Sequence, residues 1–329
     1  MKVWQYFVEC VLFFYFSYLI YASETVWISS RIFMFFQICI HYFKMNSYFK
    51  MNRDYREAWL ESQAPNHKPK DGEDTPYTSG TQSMASSYPK NLNYKDFFMF
   101  LVHPTFTYQD SYPLRAERSW KTVFFRLLLI FISINGMYEI MQSVTIPLIA
   151  LFYEGVDTFD VFPQWYQPIM ITFYVGFFVI FDFAPNLYAE LSGFADRQFY
   201  LDFWNATTFD EYSRKWNRLV HEYLQRHFYL EYLIRYKCTV FQAIFITFIF
   251  SALFHEMFLA VSFKRVSLYL TSLQVNQLLL FFFFSKLKGT VLGNMIWWFG
   301  QLFGITSVAY NYVRDYQNYT FVKGGKFTP

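Results

Sequence analysis

The chain places ionisable side chains where few are tolerated. Within the apolar run 239–263 stand Ser251, His255 and Glu256, and the four-residue spacing of Ser251 and His255 puts both on one helical face. An imidazole next to a carboxylate at membrane depth is costly unless it faces a polar cavity or pathway, so the pair is a candidate for catalysis or transport. The plainer reading is a hydrogen bond that packs helices. A second cluster lies upstream, where Asn217 and His221 are also four apart and Trp216 borders them, which predicts one stripe presenting all three inward. Other chemistries are excluded by spacing. Met257, Phe258 and Leu259 follow the His-Glu pair, so there is no HExxH zinc helix, and no Gly-rich phosphate loop or Gly-x-Ser-x-Gly elbow occurs. None of the six histidines begins a His-x4-Asp pattern. Cys10, Cys39 and Cys238 have neither even count nor paired spacing, and read as packing residues, not as metal ligands or disulfides.

Holding such residues requires long apolar helices. Residues 3–22 form a twenty-residue run with Glu9 its only charge, long enough to cross a bilayer. A cleaved leader is the competing reading, but the length, the aromatic content and a second run close behind favour a retained helix. Further runs cover 25–42, 122–141, a shorter 144–153, 168–183, 239–263, 266–284 and 291–312. Seven or eight crossings are expected, the 144–153 stretch being short enough to re-enter or lie at the interface. The predicted fold is therefore all-α and polytopic. Three regions follow: N-terminal membrane helices over 1–43, a mobile cytosolic loop over 44–93, and a core over 94–329.

Composition agrees with this. Of 329 residues, 54% are hydrophobic, 25% aromatic and only 16% charged, with a mean hydropathy of +0.13, which excludes a soluble enzyme and a disordered chain. A formal charge of +3 is too balanced for a nucleic-acid footprint. Basic residues gather in 44–95 and 197–237, whereas 145–167 holds Glu154, Asp157 and Asp160 without Lys or Arg. The first two regions are predicted to face the cytosol, together with the N-terminus, and the third to face the opposite side.

Residues 194–232 mix Trp, Tyr and both charge signs, a composition that suits amphipathic helices at the headgroup level. Inside and around it stand FADR (194–197), FYLDFWN (199–205), KWN (215–217), LVHEY (219–223) and SALFHEM (251–257). In that order they resemble the membrane-bound O-acyltransferases, and within them the branch of sterol O-acyltransferases and diacylglycerol acyltransferases. The resemblance extends to KMNSY (44–48), PTFTYQDSYP (104–113), Gln277 and GNMIWW (293–298), about four fifths of the chain. Two positions depart from it: Phe203 where Trp is usual, and Met257 where an aromatic is frequent. Members usually carry a longer N-terminal region, so this chain resembles a compact or shortened one.

The resemblance implies a helical bundle in the endoplasmic reticulum membrane that moves a fatty acyl group from acyl-CoA to a lipid alcohol without an acyl-enzyme. His255 would be the general base, and Asn217 would orient the reacting groups or bond the thioester carbonyl. Glu256, Trp216, His221 and Gln277 would shape the pocket, while Phe199, Tyr200, Asp202, Trp204 and Asn205 carry the signature. Tyr229, Lys237 and Ser251 would lie on the CoA path, which the basic segment 214–235 would attract from the cytosolic side. No cofactor is implied, since acyl-CoA is a substrate; the partners are acyl-CoA, a sterol or diacylglycerol, membrane lipid and a second or further copies in a homodimer or homotetramer. TYQDSYP and Ala195 favour a sterol, whereas Arg226 to Tyr229 resemble a stretch of the diacylglycerol enzymes. A lipid transporter or an inactive relative is the alternative outside the enzyme class.

Overall fold

The computed structural model describes residues 2–64, 87–153 and 158–322. These residues are helical throughout apart from turns, loops and one isolated bridge between Leu114 and Phe194. Three stretches are long and apolar enough to cross a membrane: Trp120–Leu151, Asp160–Ser192 and Val240–Phe263. The first joins α4 (Trp120–Ile140), a π-turn (Met141–Thr145) and α5 (Ile146–Tyr153). The expected runs 122–141 and 144–153 are thus one helix, because a π-turn inserts a residue without releasing the backbone ladder. The second stretch likewise joins α6 (Thr158–Phe178), a π-turn (Val179–Phe183) and α7 (Ala184–Ser192), and Arg126 on α4 pairs with Asp182 across the two at 3.0 Å. The third is α10 (Val240–Phe263), opened by a capping box in which Thr239 and Gln242 satisfy each other's backbone N–H groups.

Four further helices pack around these three. α1 (Lys2–Ala22) and α2 (Ile28–Ser62) form a hairpin against α10, where Phe13 and Phe35 are buried with Val261, Phe254 and Phe258. α11 (Tyr269–Phe284) and α12 (Val291–Val322) follow α10, and Trp165 and Tyr310 bury the contact between α12 and α6. Outward faces are apolar: on α4, Phe124, Phe125, Leu128 and Phe131 are all exposed, as lipid-facing residues are.

The expected loop over 44–93 is corrected at its start. α2 runs on to Ser62, and Lys44, Asn46, Ser47, Lys50, Met51 and Tyr55 are buried on it. Its composition is polar, yet 44, 47, 51 and 55 follow helical spacing and pack on α3 (Tyr94–Val102) and the loop after it. Residues 65–86, the centre of the expected loop, lie outside the described residues. α2 and the 225–235 segment share buried ion pairs, so both basic regions meet at one end of the helix array.

Candidate active site

His255 stands on α10 between two packed faces. Phe254 and Phe258 turn to α1 and α2, whereas Glu256 turns to α11 and α12. The imidazole is half-buried, and its Nδ1 lies 2.7 Å from the Ser251 carbonyl one turn earlier. A carbonyl can only accept, so Nδ1 carries the proton and Nε2 keeps its lone pair. That tautomer is the one a base needs. The role of Ser251 visible here is to fix the ring through its backbone.

Glu256 does something else. Oε1 accepts from the Leu268 N–H at 2.7 Å and from the Tyr312 hydroxyl at 2.5 Å, while Oε2 accepts from the Thr271 N–H at 3.3 Å and its hydroxyl at 3.1 Å. Glu256 and Tyr312 are buried, and four donors, from α12, α11 and the residue before α11, converge on this carboxylate. It pins α10 to the start of α11 and the far half of α12. Two residues adjacent in sequence thus diverge by about 100° around the helix, His255 half-buried and Glu256 turned into packing.

The expected stripe of Trp216, Asn217 and His221 is corrected by a break in the helix. Trp216 ends α8 (Phe209–Lys215), and Asn217, at φ −144°, caps α9 (Arg218–Leu224) by accepting from the Val220 N–H at 3.1 Å. Trp216 stacks on Tyr212 and meets Phe181 edge-on, away from the cap. Asn217 is buried and His221 half-buried; burial first, then Arg214, lowers the His221 pKa and favours its neutral ring. Among the described residues no hydrogen bond or ring contact joins His255 to Asn217, His221 or Gln277; Gln277 sits half-buried on α11. A groove of about 370 Å³ opens between α1 and α2, walled by Phe16, Ile20, Phe33 and Gln37 among others, and His255 is not among its walls.

The signature residues form a structural joint. Phe199 is buried beside Ala189 and Phe194, and Phe203 is buried among Phe177, Tyr200, Tyr212 and Trp297. Asp202 pairs with Lys215 at 3.0 Å, and Asn205 donates to Asp202 at 3.4 Å. The Trp204 carbonyl accepts from Asn294 at 2.9 Å and from the Trp298 indole at 3.1 Å, so the strings at 199–205 and 293–298 are two halves of one contact. Gly293 is required there: a Cβ would sit 2.4 Å from the Leu287 carbonyl oxygen and 2.8 Å from that of Thr207. Phe203 in place of Trp fits an aromatic pocket through ring packing alone.

Sequence reasoning missed a second polar centre at the end of the array. Lys44 donates to the Phe100 and His103 carbonyls at 2.8 and 2.6 Å, closing the end of α3. Asn46 donates to Glu9 at 2.8 Å and accepts from Tyr223 at 2.9 Å, which accounts for the single charge of the apolar run 3–22. The Tyr108 N–H donates to Ser47 Oγ at 2.8 Å, and the same hydroxyl shares a hydrogen bond of 2.7 Å with His227 Nε2. Burial first, then Lys50, drives the His227 pKa well below its ordinary value. Lys50 bonds the His227 carbonyl at 2.8 Å and pairs with Glu231 at 2.6 Å, which Arg53 also meets at 3.1 Å. Burial pushes Glu231 up, but Lys50 and Arg53 outweigh it and hold the carboxyl below its ordinary range. The KMNSY and TYQDSYP strings meet here. Tyr229 ends the π-turn Gln225–Tyr229 beside this centre, a second π-turn spans Glu231–Arg235, and Lys237 follows with a left-handed φ of 53°.

Comparison with known proteins bears on this arrangement. The model of the membrane-bound O-acyltransferase family matches residues 20–313. The chain is similar to a probable sterol O-acyltransferase 1 of Schizosaccharomyces pombe, 29% identical over 69% of this chain and 44% of the relative. With sterol O-acyltransferase 2 of Saccharomyces cerevisiae it shares 33% identity over 66% of this chain and 36% of the relative. With diacylglycerol O-acyltransferase 1B of Glycine max it shares 35% over 64% and 44%. The chain spans less than half the length of these relatives.

Proposed function

Because this chain belongs to the membrane-bound O-acyltransferase family, we propose that it transfers a fatty acyl group from acyl-CoA to a sterol hydroxyl. The observation that carries the reading is His255 on the apolar helix α10 with Nδ1 2.7 Å from the Ser251 carbonyl, a contact that favours the neutral ring with its lone pair on Nε2. Nε2 takes the proton of the alcohol, and the oxygen attacks the thioester carbonyl. The C–S bond breaks as the ester forms, and the imidazolium returns the proton to the departing thiolate. Asn217 uses its carbonyl oxygen to cap α9, which leaves its N–H₂ group as the donor for the oxyanion. Trp216, His221 and Gln277 line the approach, Glu256 holds the three helices in register, and Tyr229, Lys237 and Ser251 border the acyl-CoA path.

In this reading α1, α2, the two π-interrupted helices, α10, α11 and α12 are seven crossings of a multi-pass protein in the endoplasmic reticulum membrane that works as a homodimer or homotetramer. Sterol relatives support the acceptor, and relatives named for diacylglycerol at comparable identity favour a second reading in which the product is triacylglycerol. Membranes containing the chain, given labelled oleoyl-CoA with a sterol and with diacylglycerol in separate reactions, decide between them. Labelled steryl ester is the expected product. Triacylglycerol alone assigns the other acceptor, and no ester with either contradicts the enzymatic reading.

A further inference from the structure

Ahead of α4, residues 114–121 read Leu-Arg-Ala-Glu-Arg-Ser-Trp-Lys. Arg115, Arg118 and Lys121 are exposed, and among the described residues no ion pair or side-chain hydrogen bond engages any of them; Glu190, which Arg115 feels only electrostatically, is already held by Arg197. Nearby cations differ: Arg126, Arg197, Arg214, Lys215 and Arg218 each hold a carboxylate. Glu117, also exposed, is the strip's single carboxylate against three cations. Two apolar side chains flank the charges, with Trp120 71% and Leu114 59% exposed.

The strip is held in place by its neighbour. Leu114 bridges Phe194, the Arg115 N–H donates to the Gly193 carbonyl at 2.7 Å, and the Ala195 N–H donates to the Pro113 carbonyl at 2.9 Å. Ser119 N–H donates to Glu190 at 2.6 Å. Gly193, at φ 77°, permits this approach, because the Arg115 carbonyl oxygen lies 3.3 Å from where a Cβ would stand. The apolar stretch Trp120–Leu151 begins on this strip and Asp160–Ser192 ends on it. Two packed spanning helices therefore set the bilayer boundary here, and the strip lies along it.

We propose that residues 114–121 form a binding strip for the headgroups of anionic phospholipids, with Arg115, Arg118 and Lys121 on lipid phosphates and Trp120 and Leu114 at the acyl boundary. Charge complementarity selects this partner: unpaired cations beside interfacial aromatic and aliphatic side chains match a surface that is anionic above and apolar below. The anchored backbone has little conformational freedom left to lose on binding. Each basic side chain near an anionic surface contributes about fivefold, so neutralising three weakens the preference by up to about 100-fold, and salt screens it.

The test uses the full chain in phosphatidylcholine nanodiscs carrying a low, equal fraction of either brominated phosphatidylserine or brominated phosphatidylcholine. Quenching of Trp120 is isolated by difference from the Trp120→Phe variant. Brominated phosphatidylserine is expected to quench Trp120 in excess of brominated phosphatidylcholine, and the excess is expected to vanish in R115Q/R118Q/K121Q and in about 0.5 M salt. Equal quenching by the two lipids, or an excess that survives the triple substitution, overturns the proposal. Should the triple variant fail to fold, the salt titration of the unchanged chain decides, and a salt-insensitive excess counts against the strip.

Discussion

At His255 and Glu256 one helical step separates two environments. A carboxylate with four donors and no cation partner is a staple, and replacing it by the isosteric amide turns an N–H₂ group towards donors that then lack an acceptor. Each stranded donor costs roughly 1–3 kcal/mol. Glu256→Gln is expected to lower the thermal midpoint of the detergent-solubilised chain by several degrees, and Tyr312→Phe by less, since Tyr312 supplies one of the four donors. An unchanged midpoint in Glu256→Gln contradicts the staple. Spacing identifies His255 and Glu256 as out of place in an apolar run. It does not reveal their opposite orientations, because those depend on where α11 and α12 return, set by loops far along the chain.

Elements show the same division between what is local and what is not. Apolar length picks out α10 and the two π-interrupted helices, since about twenty apolar residues have few alternatives to spanning. The C-terminal half of α2 is hidden in polar composition, because Lys44, Asn46, Ser47 and Lys50 are buried only through partners from α1, α3 and the loop after it, α9 and 225–235. This buried polar end titrates. His227 is neutral in the fold, with its pKa well below the ordinary value, whereas the unfolded chain takes up a proton near pH 6.5. Its contribution to stability is complete above that pH and is lost below it, at up to about 1.4 kcal/mol per pH unit until the folded pKa is reached. His103 and His221 are lowered too, by burial first, and share the window. Thermal midpoints measured between about pH 5 and 7 should fall on acidification, and His227→Gln should flatten part of that slope; an identical slope in both contradicts the buried neutral ring. The joint between 199–205 and 293–298 makes a separate prediction. Gly293→Ala forces two backbone segments apart and should lower the midpoint or abolish folding, whereas Gly136→Ala, inside α4 with nothing within 4 Å of the added carbon, should hold it or raise it slightly. Equal effects of the two substitutions contradict the joint.

Two of the polar centres among the described residues are separated by apolar helix. One, at the end where α2 meets 225–235, is held by ion pairs and a neutral histidine; the other lies inside the bundle on α10. The motif order that identifies the family covers both, and family membership alone does not say which residue reacts. The two rings differ in their surroundings, and the proposal rests on that difference: His227 Nε2 lies 2.7 Å from Ser47 Oγ, whereas His255 turns Nδ1 to the Ser251 carbonyl at 2.7 Å. A single assay follows from that difference. Membranes carrying the unchanged chain or His255→Ala, matched for inserted protein, receive labelled oleoyl-CoA and a sterol, and labelled steryl ester is counted. The unchanged chain is expected to form ester and His255→Ala to form it at least about 100-fold more slowly, the scale of a lost general base; ester formation by His255→Ala at an undiminished rate would contradict the assignment.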